Sequence, residues 1–325
     1  MPDVGDDRPI GDLGESGVLA EVFPRLNAGP QVLLGPGDDT ALLGVPGGRV
    51  LATVDAMVRG QDWRQEWSSA ADVGHKLTAA NLADIAAMGG SATGLLVMLA
   101  ADPVTPMSWV RGLTDGVVAE AAQVGASLIG GDLSSAPPGV VVVSMTALGE
   151  LATGDPVRRD GARPGDLLAV AGTLGRSAAG LRLLLAGTPQ AAPDLVAAHR
   201  RPTPPYHQGP AAALAGARSM IDLSDGLSRD ADRIARASGV ALALDGACLR
   251  RYAEALGPAL TGADAMASVL HGGEEHALLA TFPAAPPQCA LPAGWTVIGR
   301  VERGSGVWLD ADPLPVGGWD HFEAP

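Results

Sequence analysis

The chain has one lysine, Lys76, among its 22 lysine and arginine residues, and aromatic residues fill only 3% of its 325 positions. A Walker-A loop needs Gly-Lys-Ser/Thr. Lys76 stands in GHKLTAA, so any handling of nucleotide phosphates must do without a P-loop. With so few aromatics, the core has to be built from Ala, Val, Leu and Ile. Cysteine is also scarce. Cys248 and Cys289 stand apart with no CxxC, which argues against a disulfide scaffold and against a thiolate zinc site. Long apolar runs are missing too. The uncharged stretch Leu133 to Gly149 is broken by Pro137, Pro138 and Gly139 and makes a poor membrane span. The opening MPDVGDDRP has no apolar segment of the kind a signal peptide carries, so a cytoplasmic, soluble protein is expected. Positive charge is outweighed: the formal net charge is −14. That excess argues against nucleic acid and anionic membranes as partners. An anionic substrate stays possible where metal ions intervene.

What is present is a large apolar fraction, 47% against 18% charged, enough for a sizeable core in one large or two ordinary domains. Apolar or β-branched runs predict strands at 49–55 (RVLATVD), 93–99 (TGLLVML) and 139–150 (GVVVVSMTALGE). Residues 72–89 predict a helix with Asp72 as N-cap and Gly89-Gly90 as its stop. Residues 107–125 predict another, weakened by internal glycines. RRDGARPGD (158–166) is turn-rich, and the domain boundary is expected near it, with domains at 1–152 and 153–325. Further strands are expected at 167–172, 240–245, 276–282, 296–301 and 306–310. Among them lie a helix after Gly175, a Pro-rich connector RRPTPP (200–205) and a strand-to-helix unit, SMIDLSDGLSRDADRIARAS. The class is α/β, or mixed α+β, in two domains.

The carboxylates fall in a pattern. Asp38 and Asp39 follow Gly37; Asp55 is expected to end the strand RVLATVD; Asp84 lies inside an Ala/Leu/Ile helix face. Gly130, Gly131 and Asp132 are expected to end the strand in LIGGDLSS. Asp222 and Asp225 stand in IDLSDG, and Glu274 and Glu275 in HGGEEH. Each acid follows or lies within an apolar run, usually beside glycine. Taken singly, an Asp before a helix reads first as a cap, and Ser224 or Asp225 could cap the helix that follows them. Six such sites together point to bound cations, because a buried carboxylate must be neutralised, hydrogen-bonded or metal-bound. Oxygen ligands without His or Cys suit Mg²⁺, which bridges a few carboxylates to phosphates. An EF-hand fails, since Leu227 occupies the position that needs glycine.

The ordered set GPGDDTALL, NLADIAAMG, LIGGDLS, RRDGARPGD, TLGRSAAGL, HRRPTPP, IDLSDGLSRD, GGEEHAL and GGWDHF resembles the thiamine-monophosphate kinase family. That family lies in the aminoimidazole-ribotide synthetase superfamily of ATP-binding proteins. The resemblance implies a two-domain fold: an N-terminal ATP- and metal-binding domain whose sheet forms a homodimer, a C-terminal α/β domain, and ATP between them. It implies Mg²⁺-assisted transfer of the γ-phosphoryl of ATP to thiamine monophosphate. Asp39, Thr53, Asp55, Asp84, Asp132, Asp222 and Asp225 match the family's metal positions, with Asp84 and Asp222 closest to the chemistry. Gly131, Asp132, Arg159 and Ser224 match ATP contacts. Glu274 and Trp319 match contacts to the thiamine phosphate, and Asp62 stands at a substrate position where the family usually has His. Val54 replaces a common Thr, Glu275 and His276 replace Asp and Tyr, and Leu113 stands where an aromatic near adenine is expected. Another ATP-using superfamily member, or a non-catalytic binder of Mg-nucleotide and thiamine phosphates, remains an alternative. The absence of an N-terminal reactive Cys and of a C-terminal Cys speaks against two of those members.

Overall fold

A computed structural model describes residues 7–34, 42–151, 154–284 and 291–319. The chain forms two compact units, one of residues 1–85 and 91–151, the other of residues 86–90 and 152–325.

The first unit opens with helix α1 (Ile10–Val22) and a small antiparallel pair, β1 (Val32–Leu34) and β2 (Leu42–Leu43). Strand β3 (Leu51–Val58), helix α2 (Ala70–Ala87), strand β4 (Ser91–Ala101), helix α3 (Met107–Ala121) and strands β5 (Ser127–Ser135) and β6 (Val141–Glu150) follow. The strands form one sheet in the order β3-β6-β4-β5, with β4 and β5 parallel and the other pairs antiparallel. Along β6 burial alternates strictly: Val141, Val143, Met145 and Ala147 are buried and their neighbours are not. Period-2 alternation of this kind marks a sheet with one covered face. The cover comes from α2, whose Ile85 sits against Gly149 of β6.

Three expectations change here. Helix α2 starts at Ala70, not at Asp72. Ser69 is its cap: the Ser69 hydroxyl accepts from the Asp72 N–H (3.2 Å), and the Asp72 carboxylate accepts in return from the Ser69 N–H (2.9 Å). This is a reciprocal capping box. The glycines of α3 are contact points as well as weaknesses. A Cβ on Gly116 would run into the Ala71 carbonyl, and one on Gly74 of α2 into the Leu113 carbonyl, so the two helices pack backbone to backbone. Nor do β3 and β5 end at their acids. Asp55 pairs with Met145 and Asp132 with Met98, well inside the ladders, because the long neighbouring strands keep satisfying backbone groups beyond them.

The second unit contains β7 (Leu167–Ala171), α4 (Arg176–Leu185), α5 (Pro193–Arg200), α6 (Gln208–Leu214), β8 (Ser219–Asp222) and α7 (Leu227–Ser238). It continues with β9 (Ala241–Leu244), α8 (Gly246–Glu254), α9 (Gly262–His271), β10 (Leu278–Phe282), β11 (Trp295–Glu302), β12 (Gly306–Leu309) and β13 (Asp312–Pro313). The strands form a sheet ordered β13-β12-β9-β11-β7-β10-β8. Every residue of β8 and β10 is buried, which is why both read as continuous apolar runs. Met220, Leu278, Ala280 and Phe282 pack in this core, where Trp295 meets Phe282 edge to face at 5.2 Å.

Candidate active site

Strand β8 delivers Asp222, 4% exposed, to the start of a turn that leads into α7. The turn depends on Gly226. Its φ of 119° lies outside the range of L side chains, and a Cβ would collide with the His271 backbone. Neither Ser224 nor Asp225 caps α7. The N-cap is Gly226, which has no side chain, and Asp230 inside the helix closes the turn instead: its Oδ2 accepts from the Asp225 N–H (3.0 Å) and the Gly226 N–H (3.1 Å). Its Oδ1 takes a bond from Arg233 Nη1, while Arg233 Nη2 reaches Asp225 Oδ2, both at 2.5 Å. Burial, and next the charge of Asp222, push the Asp230 carboxyl up to about 7 against the pull of Arg233. Sequence patterns hide Asp230, because an acid on a helix carrying three arginines looks like part of a solvated face.

The loop between α9 and β10 closes on this turn. The Glu274 N–H donates to the Ser224 carbonyl (2.7 Å), the His276 N–H to the Leu223 carbonyl (2.9 Å), and the Leu223 N–H to the Ala277 carbonyl (2.8 Å). Glu274 and His276 both hold left-handed backbone, φ 58° and 52°. Such conformations cost on the order of 1 kcal/mol each and persist only where neighbours enforce them. The side chains diverge. His276 Nδ1 lies 3.2 Å from Asp222 Oδ2, Glu275 accepts from the Ser177 N–H and the Thr173 hydroxyl, and Glu274 Oε2 lies 3.3 Å from His199 Nδ1. The Trp319 main-chain N–H donates to the Asp225 carbonyl (3.0 Å), and the residue is 45% exposed. One turn thus gathers Asp222, Ser224, Asp225, Glu274 and Trp319. Arg159 is exposed in the unit, and its carbonyl is held by the Ser238 hydroxyl (2.8 Å). Its neighbour Arg158 is paired with Asp160.

In the first unit the Thr53 hydroxyl donates to Asp84 Oδ2 at 2.6 Å. Thr53 and Asp55 share the face of β3 that α2 covers. Val54 points the other way and is 62% exposed, so its side chain does not share the face of Asp55. Asp132 is separated from these residues. It stands in the cross-strand row of Met98, Ser144 and Ala56, on the open face, where Ser134 donates to it at 3.0 Å. Asp62 serves its own loop. Its carboxylate accepts from the Val58 N–H at 2.7 Å and closes the turn after β3. Leu113 is buried in α3 and supplies packing. Asp39 lies outside the described residues. Among the described residues, no three Asp, Glu, His or Cys side chains approach closely enough to hold a metal by themselves.

Over 317 residues the chain is 44% identical to the thiamine-monophosphate kinase of Mycobacterium tuberculosis, spanning 96% of this chain and 93% of that one. This chain belongs to the thiamine-monophosphate kinase family. Residues 37–151 also match the family described as AIR synthase related protein, N-terminal domain. The crystal structure of thiamine-monophosphate kinase from Stenotrophomonas maltophilia K279a is similar with a TM-score of 0.77 at 32% identity, covering 92% of this chain and 96% of that one. A structure of AaThiL complexed with AMPPCP and TMP gives a TM-score of 0.74 at 30% identity, covering 96% and 98%. The mixed α/β, two-unit architecture is that of the family. Among the described residues, no helix is long and apolar enough to cross a membrane.

Proposed function

We propose that this chain transfers the γ-phosphoryl group of ATP to the phosphate of thiamine monophosphate, giving thiamine diphosphate and ADP. The observation that carries the reading is the turn at 222–226, where a buried strand end, two carboxylates, Glu274 and a half-exposed Trp319 are held together by main-chain hydrogen bonds. The complex of AaThiL with AMPPCP and TMP supports it, since an ATP analogue and an acceptor occupy a relative of the same length.

The acceptor oxygen needs no general base. A phosphate monoester has its second pKa near ~6 and is largely ionised at neutral pH. The barrier is the mutual repulsion of two anions. The donor set fits Mg²⁺: carboxylates and a threonine hydroxyl, all hard oxygen ligands. A closed protein cage is not required, because Mg²⁺ commonly takes one or two carboxylates and completes its shell with phosphates and waters. When bound, several Mg²⁺ ions would neutralise the phosphates and favour in-line approach. Asp55 and Asp84 with Thr53, Asp222 and Asp225, and Asp39 and Asp132 are the proposed ligands. Asp84 and Asp222 are central because each is fixed by a neighbour, Thr53 and His276 respectively. Arg159, Gly131, Asp132 and Ser224 are assigned to ATP, the first as a guanidinium fork for phosphate. Glu274 and the Trp319 ring face the acceptor, where a tryptophan face suits a thiazolium cation. Asp62 is assigned to the acceptor as well.

A homodimer has its own support. Val54, Val58, Leu96 and Met98 are all more than a third exposed on the open face of the four-stranded sheet. Exposed apolar side chains gathered on one sheet face suit an interface, and a second copy closing on it face to face gives two-fold symmetry. We place the protein in the cytoplasm, where Mg-ATP is supplied. Val54 and Asp62, the replacements that would favour a non-catalytic binder, both have structural explanations.

The test is direct. Purified protein is incubated with Mg-ATP and thiamine monophosphate, with thiamine as a second acceptor, and thiamine diphosphate is measured as thiochrome fluorescence after separation. Diphosphate is expected from the monophosphate alone. Asp222→Asn is expected to lower turnover by about a hundredfold or more while the thermal melt survives; near-normal turnover would sink the reading of this turn.

A further inference from the structure

Two stretches of the family pattern, TLGRSAAGL and HRRPTPP, have no part in the phosphoryl transfer as proposed. The fold joins them to a third. Ser177, in the first turn of α4, and His199, in the last turn of α5, are both buried. His199 Nδ1 lies 3.2 Å from Ser177 Oγ and 3.3 Å from Glu274 Oε2. Glu274 and Glu275 are neighbours in sequence with separate roles. Glu275 closes the N-terminus of α4 through the Ser177 N–H (3.0 Å) and the Thr173 hydroxyl, where the capping residue is Gly175 and has no side chain to offer. Glu274 is turned towards His199 instead, on a backbone of φ 58° that a glutamate holds only under constraint.

The ring nitrogen's role follows from its two partners. A carboxylate only accepts, so the Nδ1 that faces Glu274 must carry the hydrogen, and the Ser177 oxygen shares it. This is not a nucleophile triad, because hydroxyl and carboxylate meet the same nitrogen. It is a device for fixing one carboxylate rotamer.

Resting on the kinase reading, we propose that His199 is a positioning residue for acceptor recognition. Its Nδ1–H, steadied by Ser177, fixes the Glu274 carboxylate for contact with the cationic, amine-bearing part of the acceptor. ATP recognition does not depend on it.

The experiment is steady-state kinetics on full-length His199→Leu, His199→Asn, Ser177→Ala, Glu274→Gln and the His199→Leu/Glu274→Gln double variant, varying each substrate in turn. His199→Leu is expected to raise KM for thiamine monophosphate about tenfold, with kcat and KM for ATP within about twofold of the parent. Asn places an amide N–H near the position of Nδ1 and is expected to recover most of the loss. Ser177→Ala leaves the backbone cap of α4 in place and is expected to raise the same KM by a smaller factor. In the double variant, His199→Leu should add nothing to Glu274→Gln. Equal rises in both KM values, or losses that multiply in the double variant, would overturn the proposal. If thermal melts show that His199→Leu does not fold, Ser177→Ala and His199→Asn carry the same comparison. A parent protein that does not phosphorylate thiamine monophosphate overturns the kinase reading and this role with it. An active parent with unselective variants overturns this role alone.

Discussion

Two turns, one in each unit, are built on the same device and have opposite electrostatics. In the first unit Asp102, just past β4, accepts from the Gly139 N–H at 2.6 Å and the Val104 N–H at 3.2 Å. The Gly139 bond, then the Val104 bond, hold its carboxyl below the usual carboxylate range. In the second unit Asp230 also accepts two main-chain N–H bonds, with an arginine beside it, yet burial and the charge of Asp222 raise it to about 7. The main-chain hydrogen-bond count is equal, so it does not decide the outcome. What differs is the surroundings. Burial weighs most on Asp230, and the charges of Asp222 and Asp225 add to it against Arg233, whereas the two main-chain bonds dominate at Asp102, with Arg59 a minor aid. Where three acids share one buried turn, the most buried of them is the one pushed towards its neutral form.

The comparison can be broken from either side. The largest effect is expected from Asp230→Ala, which leaves two N–H groups and Arg233 without their acceptor. At pH 5 it should lower stability by about 3 kcal/mol in urea unfolding. A loss below about 1 kcal/mol would mean that the turn closes without this carboxylate. The next effect is the pH slope of the metal-free protein. The Asp230 carboxyl is raised, so between about 4 and 7 the folded state binds more protons than the unfolded one. The stability it contributes is complete below about pH 4 and is lost as pH rises through about 7, with a slope of at most about 1.4 kcal/mol per pH unit. Asp230→Asn should flatten that slope, and urea titrations at pH 4.5 and 8 would show whether it does. The smallest effect is expected at Asp102, where the sign reverses. Its lowered carboxyl contributes stability above the ordinary carboxylate range that is lost as pH falls. Asp102→Asn should therefore lower the urea midpoint slightly at pH 7 and not at pH 3. An equal shift at both would assign the effect to packing instead of charge.

Much of the fold is legible in the sequence because local patterns are strong. The β-branched runs at β3, β4 and β6, the apolar runs at β8 and β10, and the helix following Gly175 all stand where periodicity and turn residues predict them. Helix starts are less legible. The cap of α2 is Ser69, and the turn before α7 is closed by Asp230, four residues beyond Gly226. Local rules favour the acid nearest the start, whereas the folded helix takes whichever carboxylate the surroundings aim at its free N–H groups. The glycines of α3 look like defects in an isolated helix and become contacts once α2 lies against them.

The acids of the site divide in the same way. Their residue types, and their places beside glycines and apolar runs, are properties of the sequence, and so is the class of chemistry they suit. Alternation along β3 shows that Thr53 and Asp55 share a face, but nothing local says which face a helix will cover. That was decided by α2, whose Asp84 meets Thr53 across 31 positions, and by the ladder that sets Asp132 on the opposite side of the sheet. His199 and Glu274 lie far apart in sequence and meet only because α5 and the loop before β10 pack on one end of α4. Sequence determines what each element can present, because backbone propensity and side-chain period are local. Tertiary structure decides what each side chain faces, and it is the facing group that fixes its protonation state, its rotamer and its role.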